Sequence, residues 1–208
     1  MKVDFIDIGT SDFRYTVPTS NQNGIYVEPV KRYIDSIPEY PNTHKVHAAV
    51  CKRSGTEKIY YLPLETISSK RLPDWLRGCN QMYGIHPTIK RECERLNLNY
   101  EELVKSEDVE CITMKDLVDK FGIKEIVSLK IDTEGYDCDI VLQVVELVRN
   151  KKIKINTVNF ETNSLADKDQ LAYTFEVLHK NKWVRIPADG AHDSKFRYEG
   201  DSYATVDE

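Results

Sequence analysis

The densest group of chemistry-bearing residues is Lys130-Ile131-Asp132-Thr133-Glu134-Gly135-Tyr136, with two acids separated by one residue, a lysine before them and a glycine after. Alternation along an extended chain puts Lys130 and Asp132 on the same side, and Gly135 admits a backbone turn that other residues resist. An acid so placed can orient a substrate hydroxyl, accept its proton, or hold a divalent ion through oxygen ligands. The competing account is structural: a buried Lys130–Asp132 pair, with Glu134 stabilising the amino terminus of the next helix. Other apolar runs also end in acids, at Asp7-Ile8-Gly9, Val27-Glu28-Pro29 and Phe160-Glu161. One such acid capping a helix is ordinary, whereas four at strand ends point to a shared binding edge.

The first of these runs, Phe5-Ile6-Asp7-Ile8-Gly9-Thr10-Ser11-Asp12-Phe13-Arg14, has the strand-then-turn form of a nucleotide-binding loop. Glu28 follows Gly9 by 19 residues, a spacing that suits a carboxylate gripping ribose hydroxyls. Nicotinamide dinucleotides and S-adenosylmethionine both carry such a ribose. A dinucleotide loop needs two further glycines, and Ser11 and Arg14 stand in their places. An anionic Asp7 facing the ligand would repel a pyrophosphate and attract the ammonium of a methionine moiety. The alternative is that Asp7 is a solvated strand-end acid and Gly9 an ordinary turn glycine.

The elements that must position these residues alternate in kind. Short β-branched and apolar runs at Val3–Ile8, Gly24–Val27, Lys45–Val50, Lys58–Leu62, Ile126–Ile131, Ile155–Phe160 and Trp183–Ile186 read as strands. Stretches at Pro87–Leu98, Met114–Phe121, Asp137–Arg149 and Lys168–Lys180 place apolar residues every three or four positions and read as helices. The alternation predicts an α/β fold with a mainly parallel sheet, in one domain over residues 1–208. The segment 63–110 is too long for a simple crossover and reads as an insertion covering the ligand edge. It carries Asn80 and Tyr83 as residues able to reach a cofactor, and His86 as a candidate base. His192 is a second candidate base in a late loop. Trp75, Trp183 and Tyr136 can stack on a sugar face or simply pack. The stretch from Pro187 to Glu208 reads as a closing hairpin followed by a mobile tail.

Composition narrows the classes. Of 208 residues, 29 are Lys or Arg and 34 Asp or Glu, giving a net charge of −5 without a basic run, so a nucleic-acid partner is not expected. With 40% apolar and 30% charged residues and no long apolar stretch, the chain reads as globular without membrane insertion. Acids inside the first apolar stretch argue against a secretory signal, so a mature chain starting near Met1 is expected. The five cysteines lie 28, 14, 18 and 27 residues apart, which suits reduced thiols in a cytoplasmic setting better than a zinc site.

Taken in order, Asp7-x-Gly9, Val27-Glu28-Pro29, Ile112-Thr113-Met114-Lys115-Asp116-Leu117 and Leu129-Lys130-Ile131-Asp132-Thr133-Glu134-Gly135 resemble the FkbM-type class I S-adenosylmethionine-dependent methyltransferases. The resemblance spans about residues 3–161, and the Lys-x-Asp-x-Glu-Gly stretch is its most specific part. It implies a Rossmann-like fold with a seven-stranded, mostly parallel sheet and helices on both faces, a methyl donor held by Asp7, Gly9 and Glu28, and O-methylation, often of a sugar hydroxyl. The family's first loop commonly reads Asp-x-Gly-Ala-Asn-x-Gly, and this chain departs from it at Thr10, Ser11 and Phe13. Starting directly at the first strand, it is similar to compact methyltransferases that large algal viruses use on deoxysugar-rich glycans such as those containing rhamnose.

On that basis the expected cofactor contacts are Asp7, Gly9, Thr10, Ser11, Glu28, Pro29, Asn80 and Asp132. Asp132 is the expected base, with Lys130 and Glu134 shaping its charge and His86 as an alternative. Asp132 and Glu161 are candidate ligands for a divalent cation that would acidify the hydroxyl. Two other readings stay open: a nicotinamide-dependent oxidoreductase, and a catalytically inactive module that pairs with another protein. The oligomeric state is not legible in the sequence.

Overall fold

A computed structural model describes residues 1–11, 15–162, 166–188 and 192–200. Phe13 and Arg14 of the first loop and the expected tail beyond residue 200 lie outside the described residues. The chain forms an α/β fold around a seven-stranded, mostly parallel sheet. Its strands are β1 (Lys2–Ile8), β2 (Gly24–Val27), β3 (Thr43–Val46), β8 (Glu125–Ile131), β9 (Lys154–Glu161), β10 (Trp183–Ile186) and β11 (Asp193–Tyr198). The spatial order is β10-β11-β9-β8-β1-β2-β3, and β11 alone runs against its neighbours. Strands β1 and β8, with three β-branched residues each, lie side by side near the centre in direct register, with Asp7 beside Lys130.

Period-two alternation divides the residues of the sheet between two cores. Ile6 and Ile8 of β1 and Ile25 and Val27 of β2 face α5 (Met114–Phe121), α6 (Asp137–Arg149) and α7 (Lys168–Lys180), joining one large buried cluster. Phe5 and Tyr26 point the other way and pack with Ile34 and Ile37, from or just after α1 (Lys31–Ser36). Helix α5 starts at a capping box, in which Thr113 accepts from the Asp116 amide and Asp116 accepts from that of Thr113, and it stops at the left-handed Gly122. The helical stretches at 114–121, 137–149 and 168–180 are as the spacing predicts, whereas α3 (Pro87–Arg95) ends before Leu98 because Asn97 turns left-handed and the Leu98 amide closes back on the Cys93 carbonyl.

Two strand expectations need correction. The run Lys45–Val50 is not one strand. The chain turns at His47-Ala48, where His47 bonds the Pro29 carbonyl and the Ala48 amide closes on the Val46 carbonyl. Beyond the turn, β4 (Ala49–Val50) joins a second, four-stranded sheet in the order β4-β7-β5-β6, with β5 (Gly55–Tyr61), β6 (Gln81–Met82) and β7 (Lys105–Ile112). Strand β7 was hidden in the segment read as insertion, since its outward residues Ser106, Asp108 and Glu110 alternate with Glu107, Val109 and Cys111 and leave little apolar signal. Its long antiparallel register with β5, reinforced by the Lys58–Asp108 pair at 2.8 Å, orders it.

No helix among the described residues is long and apolar enough to cross a membrane. All five cysteines are free and buried.

Candidate functional site

The central strands β1, β2, β8 and β9 all end at the same edge of the large sheet, and that edge carries a cavity of about 220 Å3. Ile8, Gly9 and Ser11 follow β1 into its wall; Glu28 and Pro29 follow β2; Asp132, Thr133 and Glu134 follow β8; Glu161 closes β9. A tightly turned segment that includes a 3-10 turn over Asp74–Gly78 adds Trp75, Cys79 and Asn80 from the opposite side.

Gly9 is fixed by close approach. Its φ is +75°, and a Cβ on it would lie 1.7 Å from the Asp132 carbonyl oxygen. The Asp132 amide bonds the Ile8 carbonyl at 2.9 Å, so the loops after β1 and β8 touch backbone to backbone.

Glu28 is 3% exposed and accepts two backbone hydrogen bonds, from Ser11 and from Val30, each 2.9 Å. Burial pushes its carboxyl up to about 7, the two amides pull it back, and Asp7 and Asp132 push it up further. The amides use one lone pair on each oxygen and leave others toward the cavity. Asp132 shows the same conflict. Burial raises it to about 7, Lys130 lowers it, and Asp137, Glu134 and Asp193 raise it.

The structure places Asp7 differently from the expectation that its charge faces the ligand. Its position on β1 shares the Phe5 and Tyr26 face, and the side chain is wholly buried away from the cavity wall. Its carboxylate accepts from the Thr16 amide and hydroxyl, at 2.6 and 2.8 Å, and pairs with Lys130 at 3.2 Å. The in-register pairing of Asp7 with Lys130 on adjacent strands dictates this contact. Lys130 therefore reaches Asp7, and its charge favours ionisation of Asp132. Thr10 is also buried outside the wall, and its hydroxyl finds no partner among the described residues.

His86 is not a lid residue on the surface but 2% exposed, at the amino-terminal cap of α3. Its Nδ1 accepts from the Thr88 amide at 3.2 Å and its Nε2 lies 3.2 Å from Glu134 Oε2. A ring whose Nδ1 accepts must carry its hydrogen on Nε2, so the imidazole donates to Glu134 and has no free lone pair for a substrate or a metal. His192 is exposed, outside the cavity wall, and its carbonyl accepts from Thr162.

Glu134 sits in the left-handed region at φ 51° and Gly135 at φ 124°, a pair of turns that folds the Lys130–Tyr136 motif back over the strand end. Asp137 holds that loop. At 5% exposure, it accepts from the Thr133 hydroxyl at 3.0 Å and the Gly135 amide at 3.3 Å, and its burial raises its pKa. Glu134 stands in the loop ahead of α6, whose first turn carries Asp137 and Asp139 instead, and Asp137 is hidden in the sequence as one more acid beginning α6.

Carboxylate oxygens of Asp132, Glu134 and Glu161 converge within 4.8 Å of one another, an all-oxygen set of the kind that hard divalent cations take. Cys79, His86 and Glu134 form a second close group, in which both His86 ring nitrogens already have partners in Thr88 and Glu134. Beside the cavity a wider groove of about 770 Å3 shares Met82, Glu134 and Tyr136 with it, and is edged by Arg53, Tyr83 and Lys90. Tyr83 is 63% exposed at φ 61°, with its ring 5.8 Å from that of Tyr136.

The family model of the methyltransferase FkbM domain matches residues 7–203. No curated protein and no solved structure matches the chain.

Proposed function

Since the chain belongs to the FkbM methyltransferase domain family, we propose that it transfers a methyl group from S-adenosylmethionine to a sugar hydroxyl, with a deoxysugar such as rhamnose in a glycan as the acceptor. Family membership replaces the nicotinamide reading that Glu28 alone left open. The observation that carries the proposal is the placement of Glu28, Asp132 and Glu161 around one cavity at the sheet edge, with apolar Pro29, Ala48 and Ala49 beside Glu28. These residues fit the cofactor: a carboxylate for the ribose diol, an apolar slot for a purine, and anionic surroundings for a sulfonium. When bound, S-adenosylmethionine supplies a methyl group activated for direct displacement.

The chain's own residues supply holding, alignment and proton removal. Glu28 accepts from the ribose hydroxyls through its remaining lone pairs, and the Gly9–Asp132 backbone contact fixes the floor between the two carboxylates. Asp132 takes the proton of the acceptor hydroxyl, its raised pKa bringing a carboxylate closer to the basicity this needs. The acceptor enters by the wider groove, where the Tyr83–Tyr136 pair offers a face for a pyranose ring.

Calorimetry with S-adenosylmethionine and S-adenosylhomocysteine, followed by mass spectrometry of a deoxysugar glycan panel, tests this. The reading expects binding of both and a one-methyl mass gain on a glycan. No heat with either ligand removes it, and heat without product on any glycan favours the inactive-module reading.

One observation favours a variant of the mechanism: the convergence of Asp132, Glu134 and Glu161 within 4.8 Å suits a divalent ion that would acidify the hydroxyl in place of a free base. Chelator-treated protein that loses turnover and regains it with magnesium supports the ion; unchanged turnover leaves Asp132 as the base.

A further inference from the structure

The cavity and the wider groove meet at Met82, Glu134 and Tyr136, and of these three Glu134 alone carries a charge. A methyl donor in the cavity and an acceptor in the groove therefore face each other across this carboxylate. Glu134 stands there in a left-handed backbone conformation, φ 51°, which disfavours residues with a side chain and which glycine or asparagine takes more easily. A glutamate in such a place points to a use for its side chain.

Two side chains from the segment 63–110 hold this one residue. Gln81 Nε2 donates to the Glu134 carbonyl at 3.4 Å, and His86 Nε2 donates to Glu134 Oε2 at 3.2 Å. Capping α3 explains only one nitrogen of His86: Nδ1 accepts from the Thr88 amide, and an asparagine or serine would serve that end as well. The other nitrogen devotes a 2% exposed imidazole to one carboxylate oxygen. The Glu134 side chain keeps 19% of its surface, and its second oxygen, Oε1, has no hydrogen-bond partner among the described residues.

We infer that His86 is a positioning residue for the acceptor: by holding Oε2 it turns Glu134 so that Oε1 accepts from a sugar hydroxyl other than the one that loses its proton to Asp132. This rests on the methyl-transfer reading above and adds to it what orients the sugar. A hydroxyl donates strongly to a carboxylate, and a carboxylate already fixed through one oxygen has little rotamer freedom left to lose when the other is used. One such contact beside Asp132 decides which hydroxyl of the ring meets the base. The acceptor class that fits is a ring carrying a second free hydroxyl besides the one methylated.

The probe is a rhamnose-terminated oligosaccharide or, failing that, whichever glycan of the deoxysugar panel gains a methyl. Initial rates at saturating S-adenosylmethionine, calorimetry with S-adenosylhomocysteine and thermal melts are recorded on the full chain. Three substitutions separate the two nitrogens of His86. His86→Gln keeps an N–H donor for Glu134 but loses the cap, His86→Asn keeps a cap acceptor but falls short of Glu134, and His86→Phe has neither. The acceptor KM is expected to rise by about tenfold or more in His86→Phe and His86→Asn and by less than about threefold in His86→Gln, with S-adenosylhomocysteine affinity little changed in all three. The melting temperature should follow the other nitrogen, with His86→Asn nearest the unaltered protein. Glu134→Ala should show the same rise in KM, and adding His86→Phe to it should raise KM no further. A KM in His86→Gln as high as in His86→Phe, a normal KM in His86→Asn, or effects of Glu134→Ala and His86→Phe that simply multiply overturns the inference and leaves methyl transfer standing. No methylation of any glycan of the panel by the unaltered protein removes both.

Discussion

Asp132 is a carboxylate that burial makes reluctant to ionise, at a place where Lys130 favours ionisation and three other acids oppose it. Such opposed fields give a base that is partly ionised near neutral pH and stronger than an ordinary aspartate. Asp132→Asn is expected to lower turnover by a factor of about a hundred to ten thousand with S-adenosylhomocysteine affinity little changed, as read by initial rates and calorimetry. The unaltered protein should show kcat/KM rising with pH and levelling above about 7, because the base works only when deprotonated and its pKa is about 7. Rates that stay flat from pH 5.5 to 8.5 would take the proton-accepting role from Asp132. Tyr83 belongs to the other substrate. Removing an exposed, strained aromatic ring at the groove should raise the acceptor KM in Tyr83→Ala several-fold, leave cofactor affinity alone, and be largely reversed in Tyr83→Phe.

Among the elements, the junction of the loops after β1 and β8 is the least forgiving. Gly9→Ala would drive a Cβ into the Asp132 carbonyl at 1.7 Å in a backbone conformation hostile to side chains, so a loss of at least about 3 kcal/mol in urea unfolding is expected, along with loss of cofactor binding. Gly9 was legible because a strand-to-turn glycine has a local signature, and so were Glu28, Asp132, Glu134 and Glu161, since a strand ending in an acid names its own position at the sheet edge. Asp7 has the same local signature but a different place, because which face it takes depends on register with Lys130, a partner 123 residues away. His86 misled for a related reason. A histidine in a Gly-Ile-His-Pro turn looks exposed until α3 folds over it, and its capping bond then removes the lone pair that chemistry would need. Strand β7 was hidden by its charges, and Asp137 by looking like one more acid beginning a helix. The sequence therefore marks strand ends well and long-range partners poorly, and the cavity wall contributed from residues 75–80 depends wholly on such partners.

At the scale of the whole molecule, these buried acids set the pH at which the fold is strongest. Glu28, Asp132 and Asp137 all have pKa values raised by burial in the folded state, so between their unfolded and folded values the native protein binds more protons than the unfolded chain. Stability therefore falls as pH rises through that window. For Glu28, a rise from 4.5 to about 7 amounts to about 3 kcal/mol lost by pH 8. Asp116 acts in the opposite sense: hydrogen bonds from Ser54 and Thr113 depress its pKa, and its contribution is lost on acidification below the ordinary carboxylate range. The two trends place the highest melting temperature near pH 5, with a decline toward pH 8 that should be visibly shallower in Glu28→Gln. A cationic ligand beside Glu28 and Asp132 stabilises their ionised forms, which makes the ligand's own contribution pH-dependent. S-adenosylmethionine should accordingly raise the melting temperature more at pH 8 than at pH 5.5, as thermal melts at fixed ligand excess would record. An equal rise at both pH values would mean that the sulfonium end lies away from these two acids.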